Sequence, residues 1–167
     1  MAKALSINHV TLVVRDLAEA RAFYEQVLGL TPLPTFNLDF PAQFYAINER
    51  QQLHITEWDD VYSFRGHVCL QVDDFSSLFA TLRARDAVDI APWGKVRRLP
   101  DGAMQLFARD PSGNLLEISC PPETPIDAAI FADALVDPNV GLYVSERNDA
   151  RGLRGDGATL YHGEQEP

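Results

Sequence analysis

His9-Val10-Thr11-Leu12-Val13-Val14-Arg15-Asp16-Leu17 returns 58 residues later as His67-Val68-Cys69-Leu70-Gln71-Val72-Asp73-Asp74-Phe75. His, Val, Leu, Val and Asp coincide at five of the nine positions. Each segment alternates as a half-buried strand does, then meets an Asp and a helical pattern. Asp16 is placed to cap the first helix, with Glu19 three residues on as in a capping box. Leu17, Ala20, Tyr24, Val27 and Leu28 form its apolar stripe, and Gly29 is placed to end it. The second copy caps at Asp74 and runs through Phe75, Leu78, Phe79 and Leu82 to about Asp86.

Beyond each helix, β-like runs are expected over about 35–40, 43–48 and 51–57, and again over about 95–99, 103–109 and 114–119. The order βαβββ therefore occurs twice, about 5–58 and 66–121, joined by a polar stretch from Asp59 to Gly66. The expected fold class is α+β, with residues 1–122 as two paired βαβββ modules. One module is too small to bury both its helix and its sheet face, so the halves should share a core.

Residues 123–167 stand outside the repeat. Thr124-Pro125 reads as a cap followed by proline at the first helical position, opening a short helix through Ile126, Ala129, Ile130 and Leu135. The remainder is Gly-, Asp- and Arg-rich and reads as a packing arm or partly ordered end. This extension carries nine acidic and three basic side chains, and so most of the formal charge of −10. An acidic chain opposes binding to nucleic acid and to anionic membranes. No run approaches eighteen consecutive apolar residues, so no membrane-spanning helix is expected. The start of the chain shows no secretory pattern, which makes a cytoplasmic location the expectation. Cys69 and Cys120 lack zinc or disulfide spacing and read as buried free thiols.

Alternation places His9, Thr11 and Val13 on one strand face, and His67, Cys69 and Gln71 on the equivalent face of the second copy. Leu53-His54-Ile55 and Leu116-Glu117-Ile118 occupy matching places in the last strand of each half. Three histidines and a carboxylate on repeat-equivalent strand positions make a metal-ligand set presented from rigid elements. His9, His67 and Glu117 are the expected ligands of a divalent ion (Fe, Mn, Ni or Zn), held in a cup formed by the two modules. A carboxylate among Leu115, Leu116 and Ile118 needs a partner, since desolvating it alone costs several kcal/mol. His54 reads as a fourth ligand, as a general acid/base beside the metal, or as a polar group bonded to the neighbouring sheet. Tyr45 and Thr11 read as possible lining, and Arg97 and Arg98 as solvated surface charge.

These residues resemble the vicinal oxygen chelate superfamily of glyoxalase I, fosfomycin-resistance enzymes, extradiol dioxygenases and bleomycin-resistance proteins. The resemblance covers about residues 5–121. It rests on Ile7-Asn8-His9-Val10-Thr11-Leu12, Phe23-Tyr24-Glu25-Gln26-Val27-Leu28-Gly29-Leu30, Gly66-His67-Val68 and Asp110-Pro111-Ser112-Gly113-Asn114-Leu115-Leu116-Glu117. It implies paired βαβββ units around a metal that small-molecule substrates reach through two adjacent oxygens. In many members a second chain completes the cup, so a homodimer is expected. Transferred by position, the ligands are His9, His67 and Glu117, and His54 stands where glyoxalase I enzymes carry a carboxylate.

The implied activity is a glyoxalase-like lyase or isomerase, with His54 or Glu117 as the catalytic proton-transfer group. An extradiol Fe(II) dioxygenase is the first alternative. It is weakened by Phe107 where that signature has Tyr, and by Arg98, Leu99 and Pro100 where it has a nearby His. A non-catalytic, bleomycin-resistance-like binding protein is the second alternative.

Overall fold

The structure is a computed structural model, and it describes residues 7–35, 38, 40–62, 66–99, 101–138 and 161. The first module comprises β1 (His9–Val14), α1 (Leu17–Gln26), β2 (Thr31–Leu33), β3 (Ala42–Ala46) and β4 (Gln52–Glu57). The second comprises β5 (Val68–Gln71), α2 (Phe75–Ala84), β6 (Arg97–Arg98), β7 (Met104–Arg109) and β8 (Leu115–Cys120). Each forms a four-stranded sheet, in the order β1-β4-β3-β2 and β5-β8-β7-β6. In both, the first and last strands pair in parallel and the remaining pairs are antiparallel. The twofold βαβββ reading is the fold.

The caps form as the sequence dictates. Asp16 accepts from the Glu19 backbone N–H at 2.8 Å, and Asp74 accepts from that of Ser77 at 3.0 Å. Gly29 follows α1 with φ +67°, a conformation that costs glycine least. Tyr24 and Phe23 from α1 and Phe75, Phe79 and Leu82 from α2 enter one buried cluster with residues of both sheets. The modules share a core, as an isolated βαβββ unit requires.

Three expectations are corrected. Of the first-module strand expected at 35–40, residues 36, 37 and 39 lie outside the described residues and 35, 38 and 40 are not in a strand; the edge strand is Thr31–Leu33, where Pro32 removes no ladder bond from a central strand. The second helix ends at Ala84, and Asp86 turns out of it with φ 55°. In the extension, Asp127 rather than Thr124 caps a 3-10 helix, Ala128–Ala132, accepting from the Ala129 N–H at 2.9 Å. This segment packs through Ile130 and Val136, and Val136 bridges Val96 at the edge of the second sheet. The expected arm over 139–167 lies outside the described residues except for Tyr161.

The edge strand of the second module is also divided. Val88 bridges Ala108 near one end of β7, while Arg97 and Arg98 pair with its other end. The chain between them leaves the sheet and carries Trp93.

A seam of hydrogen bonds joins the modules. Buried Asp110 accepts from the backbone N–H groups of Ser112 and Asn114, from the Asn114 amide, and from the Tyr24 hydroxyl. Asn114 also donates to the Val13 carbonyl at 2.8 Å, and the Arg15 N–H donates to the Ser112 hydroxyl at 2.9 Å. Burial and then the Asp110 charge raise the Tyr24 phenol well above its ordinary range, so it remains a donor.

Candidate metal centre

On β4 and β8 the odd and even positions face opposite sides. Leu53 and Ile55, like Leu116 and Ile118, enter the core. His54 and Glu117 therefore lie on the other faces, at matching positions: His54 opposes Thr11 and Phe44, and Glu117 opposes Cys69 and Phe107. The same architecture thus holds two sets of candidate site side chains.

On the first face the His9 and His54 rings stack with centroids 4.3 Å apart and 12° between planes. Phe44 lies on the other side of His54, at 3.7 Å and 9°. His9 Nδ1 meets Asn8 Oδ1 at 2.9 Å, and His54 Nε2 meets Gln52 Oε1 at 2.9 Å. Burial, and then repulsion from His9, lower the His54 pKa, favouring a neutral ring.

On the second face His67 Nε2 lies 2.8 Å from Glu117 Oε2. Gln105 Nε2 donates to Glu117 Oε1 at 2.7 Å, and Cys69 faces this carboxylate from the neighbouring strand. Glu117 is only 5% exposed, so these partners offset the cost of desolvating it. Phe107 and Trp93 approach the His67 ring edge-on, at 5.1 and 5.9 Å. Cys120 is buried as expected, but Cys69 is exposed, because β5 is an edge strand of its sheet. Desolvation around its sulfur, followed by the charge and hydrogen bond of Glu117, pushes the Cys69 thiol up to about 12. It stays protonated.

The sequence-predicted residues therefore gather as two pairs, His9 with His54 and His67 with Glu117. Among the described residues, no group of three or more His, Cys, Asp or Glu is close enough to hold a metal ion. Each pair is nonetheless suited to part of a coordination shell. Two ligands about 2.1 Å from one ion and at right angles to each other stand about 3 Å apart, close to the 2.8 Å of the His67–Glu117 contact. Gln105 escaped the sequence reading, although its place two residues before Phe107 put it on the same face. Phe44, which matches Phe107, could have been found by the same comparison of modules.

Comparison with known proteins agrees with this architecture. Metallothiol transferase FosB of Shouchella clausii (strain KSM-K16) is 26% identical over 117 residues, covering 67% of this chain and 77% of the relative. The structure of oxidase ChaP-H2 superposes with a TM-score of 0.58 at 25% identity, over 72% of this chain and 96% of that one. Lactoylglutathione lyase from Agrobacterium tumefaciens gives 0.54 at 24% identity, over 71% and 96%. A model of the Glyoxalase/Bleomycin resistance protein/Dioxygenase superfamily matches residues 6–118. The chain belongs to that superfamily.

Proposed function

We propose that this chain is a metal-dependent enzyme of glyoxalase type, a lyase or isomerase acting on a small oxygen-rich molecule. The divalent ion, Fe, Mn, Ni or Zn, is received by His67 and Glu117, and His9 is supplied by the first-module face of a second copy. The observation that carries this reading is the His67–Glu117 pair, 2.8 Å apart and braced by Gln105. Similarity to a metallothiol transferase supports a metal-dependent reaction.

When bound, the ion supplies Lewis acidity to adjacent substrate oxygens. The chain's own part is to orient the carboxylate through Gln105, to flank His67 with Trp93 and Phe107, and to place His54 as a neutral proton acceptor. A neutral imidazole at that position replaces a carboxylate base without adding negative charge. Because one chain presents the two pairs separately, the reading requires a homodimer.

Elemental analysis of freshly purified protein, beside His67→Ala, tests the reading. About one divalent ion per chain in the wild type and loss of it in the variant are expected, with a dimer in sedimentation. A metal-free wild type that recovers no turnover of a hemithioacetal with any of the four ions would overturn it.

A second reading is a metal-free binding module for a planar ligand, favoured by the aromatic columns Phe44–His54–His9 and Trp93–Phe107. It requires ligand affinity to survive both His9→Ala and Glu117→Ala. The Fe(II) dioxygenase alternative gains nothing at Phe107, whose ring packs against His67 and offers no hydroxyl. Oxygen uptake with catechols under Fe(II) would revive it.

A further inference from the structure

Ser119 follows Glu117 by two residues on β8 and so shares its face. It opposes Gln71 on one neighbouring strand and Gln105 on the other, and it is 1% exposed. Its hydroxyl lies 2.8 Å from the phenol oxygen of Tyr161, a half-buried residue 42 positions further along the chain. Tyr161 belongs to the acidic extension, outside the stretch 6–118 that matches the superfamily. Same-face neighbours on a strand are about 6.6 Å apart. The phenol therefore stands within the span of a few-atom molecule seated at His67 and Glu117.

We propose that Tyr161 is a binding residue of this site, its phenol anchored on Ser119 and hydrogen-bonded to an oxygen of the molecule received at the His67–Glu117 pair. A hydroxyl has one proton and two lone pairs, so the phenol can accept from Ser119 while donating to a ligand oxygen. Desolvation pushes the phenol up to about 12, leaving it protonated, a donor throughout the neutral range. The ligand class this selects is a small molecule with two adjacent oxygens for the ion, the one nearer Ser119 also accepting from the phenol. The extension thereby gives this chain a specificity element that residues 6–118 do not contain. The inference rests on the metal-centre reading above.

The test uses full-length protein, Mn(II) as the metal and acetohydroxamate as a probe with two adjacent oxygens, each titrated by calorimetry. Tyr161→Phe keeps the ring and its packing. It is expected to leave Mn(II) affinity within twofold of wild type and to weaken acetohydroxamate about 3- to 10-fold, as loss of one hydrogen bond does. Ser119→Ala should weaken the probe similarly, and Ser119→Thr, which retains the hydroxyl, should restore it. Unchanged probe affinity in Tyr161→Phe overturns the proposal. So does a parallel loss of Mn(II) affinity, which would make the tyrosine a structural support. Wild-type protein that binds no Mn(II), or binds Mn(II) but not acetohydroxamate, instead overturns the metal-centre reading and removes the ligand's seat with it.

Discussion

The two modules carry their candidate site side chains on equivalent faces, yet on its inner strands one face is open and the other is roofed. On both, the first strand is exposed, at His9 and Thr11 as at Cys69 and Gln71, but on the inner strands of the first face Ala42 and His54 are half-buried and Gln52 is exposed. On the second, the matching Gln105, Glu117 and Leu115 are buried. The cover comes from two additions to the repeat. The divided edge strand lets the chain leave the sheet and bring Trp93 over His67 and Phe107, and the extension brings Tyr161 to Ser119. Burial changes the chemistry that a face can sustain. A carboxylate withdrawn from water and held by an amide and an imidazole is a strong, oriented acceptor for a cation. His54, stacked on His9 near solvent, is held toward its neutral form and suits proton transfer or supplementary ligation.

The sharpest way to break this contrast is to exchange the matching residues in turn. Glu117→Gln keeps the volume and removes the charge, and it should weaken Mn(II) or Zn(II) binding on the order of 10³-fold, beyond the range typical of outer-shell changes. His54→Gln, at the equivalent position of the open face, should cost less than about 10-fold. Titration of both variants against one metal settles the ranking. Equal losses would make the two faces equivalent ligand donors and remove the asymmetry.

The next effect concerns the hairpins that precede the two final strands. Asp110 has four hydrogen-bond donors, three within its own turn and the Tyr24 hydroxyl from across the seam. Asp110→Ala would strand the buried Tyr24 hydroxyl and two backbone N–H groups, and should cost about 3 kcal/mol in urea unfolding. In the first module Asn48 merely closes its own exposed turn, accepting from the N–H groups of Arg50 and Gln51. Asn48→Ala should cost about 1 kcal/mol or less. Similar losses would show that the seam does not hold the modules together.

Gln105 offers a smaller and more specific probe of the roofed face. Gln105→Leu preserves volume but deprives Glu117 of its amide donor, so metal affinity should fall about 10-fold, in keeping with removal of an orienting partner. The first module has Ala42 at the matching place, and Ala42→Gln should leave metal affinity unchanged in the same titration. A Gln105→Leu protein that binds metal like the wild type would relieve the amide of any orienting role.

Much of the architecture was readable from the 58-residue offset because caps, alternation and helix stripes are local patterns. Asp16, Asp74, Gly29 and the pairing of His54 with Glu117 as equivalent positions all belong to this class. Convergence of His9 with His67 and Glu117 was not readable in the same way. Strand periodicity says which face a side chain takes, while the placement of one sheet against another depends on packing across the core. The first edge strand was misplaced because Pro32 breaks the strand pattern, although an edge tolerates it. Trp93 and Tyr161 lie in stretches without periodicity, so no pattern in the sequence aims them at β8 or His67.

The final contrast lies at the root of the divided edge. Arg109 Nε donates to Asp89 Oδ2 at 2.7 Å, tying β7 to the segment that departs toward Trp93. The first module has Ala46 where the second has Arg109, and Leu33 opposes Phe44 much as the Asp89 N–H bonds the Phe107 carbonyl. Burial alone would raise the Asp89 pKa. The Arg109 hydrogen bond, the Ala91 N–H and the Arg109 charge together outweigh it and hold the carboxyl below its ordinary value. A depressed folded-state pKa stabilises the native chain above the unfolded pKa, about 3.9 for Asp. That contribution disappears as pH falls through the lower folded value. Asp89→Asn should therefore cost up to about 1 kcal/mol near pH 6, as partly exposed pairs do. The gap between variant and wild type should narrow in urea unfolding as pH is lowered from 4 toward 3. A gap that stays constant over this interval would show that the divided edge is held by packing and its neutral hydrogen bonds, with no measurable share from the ion pair.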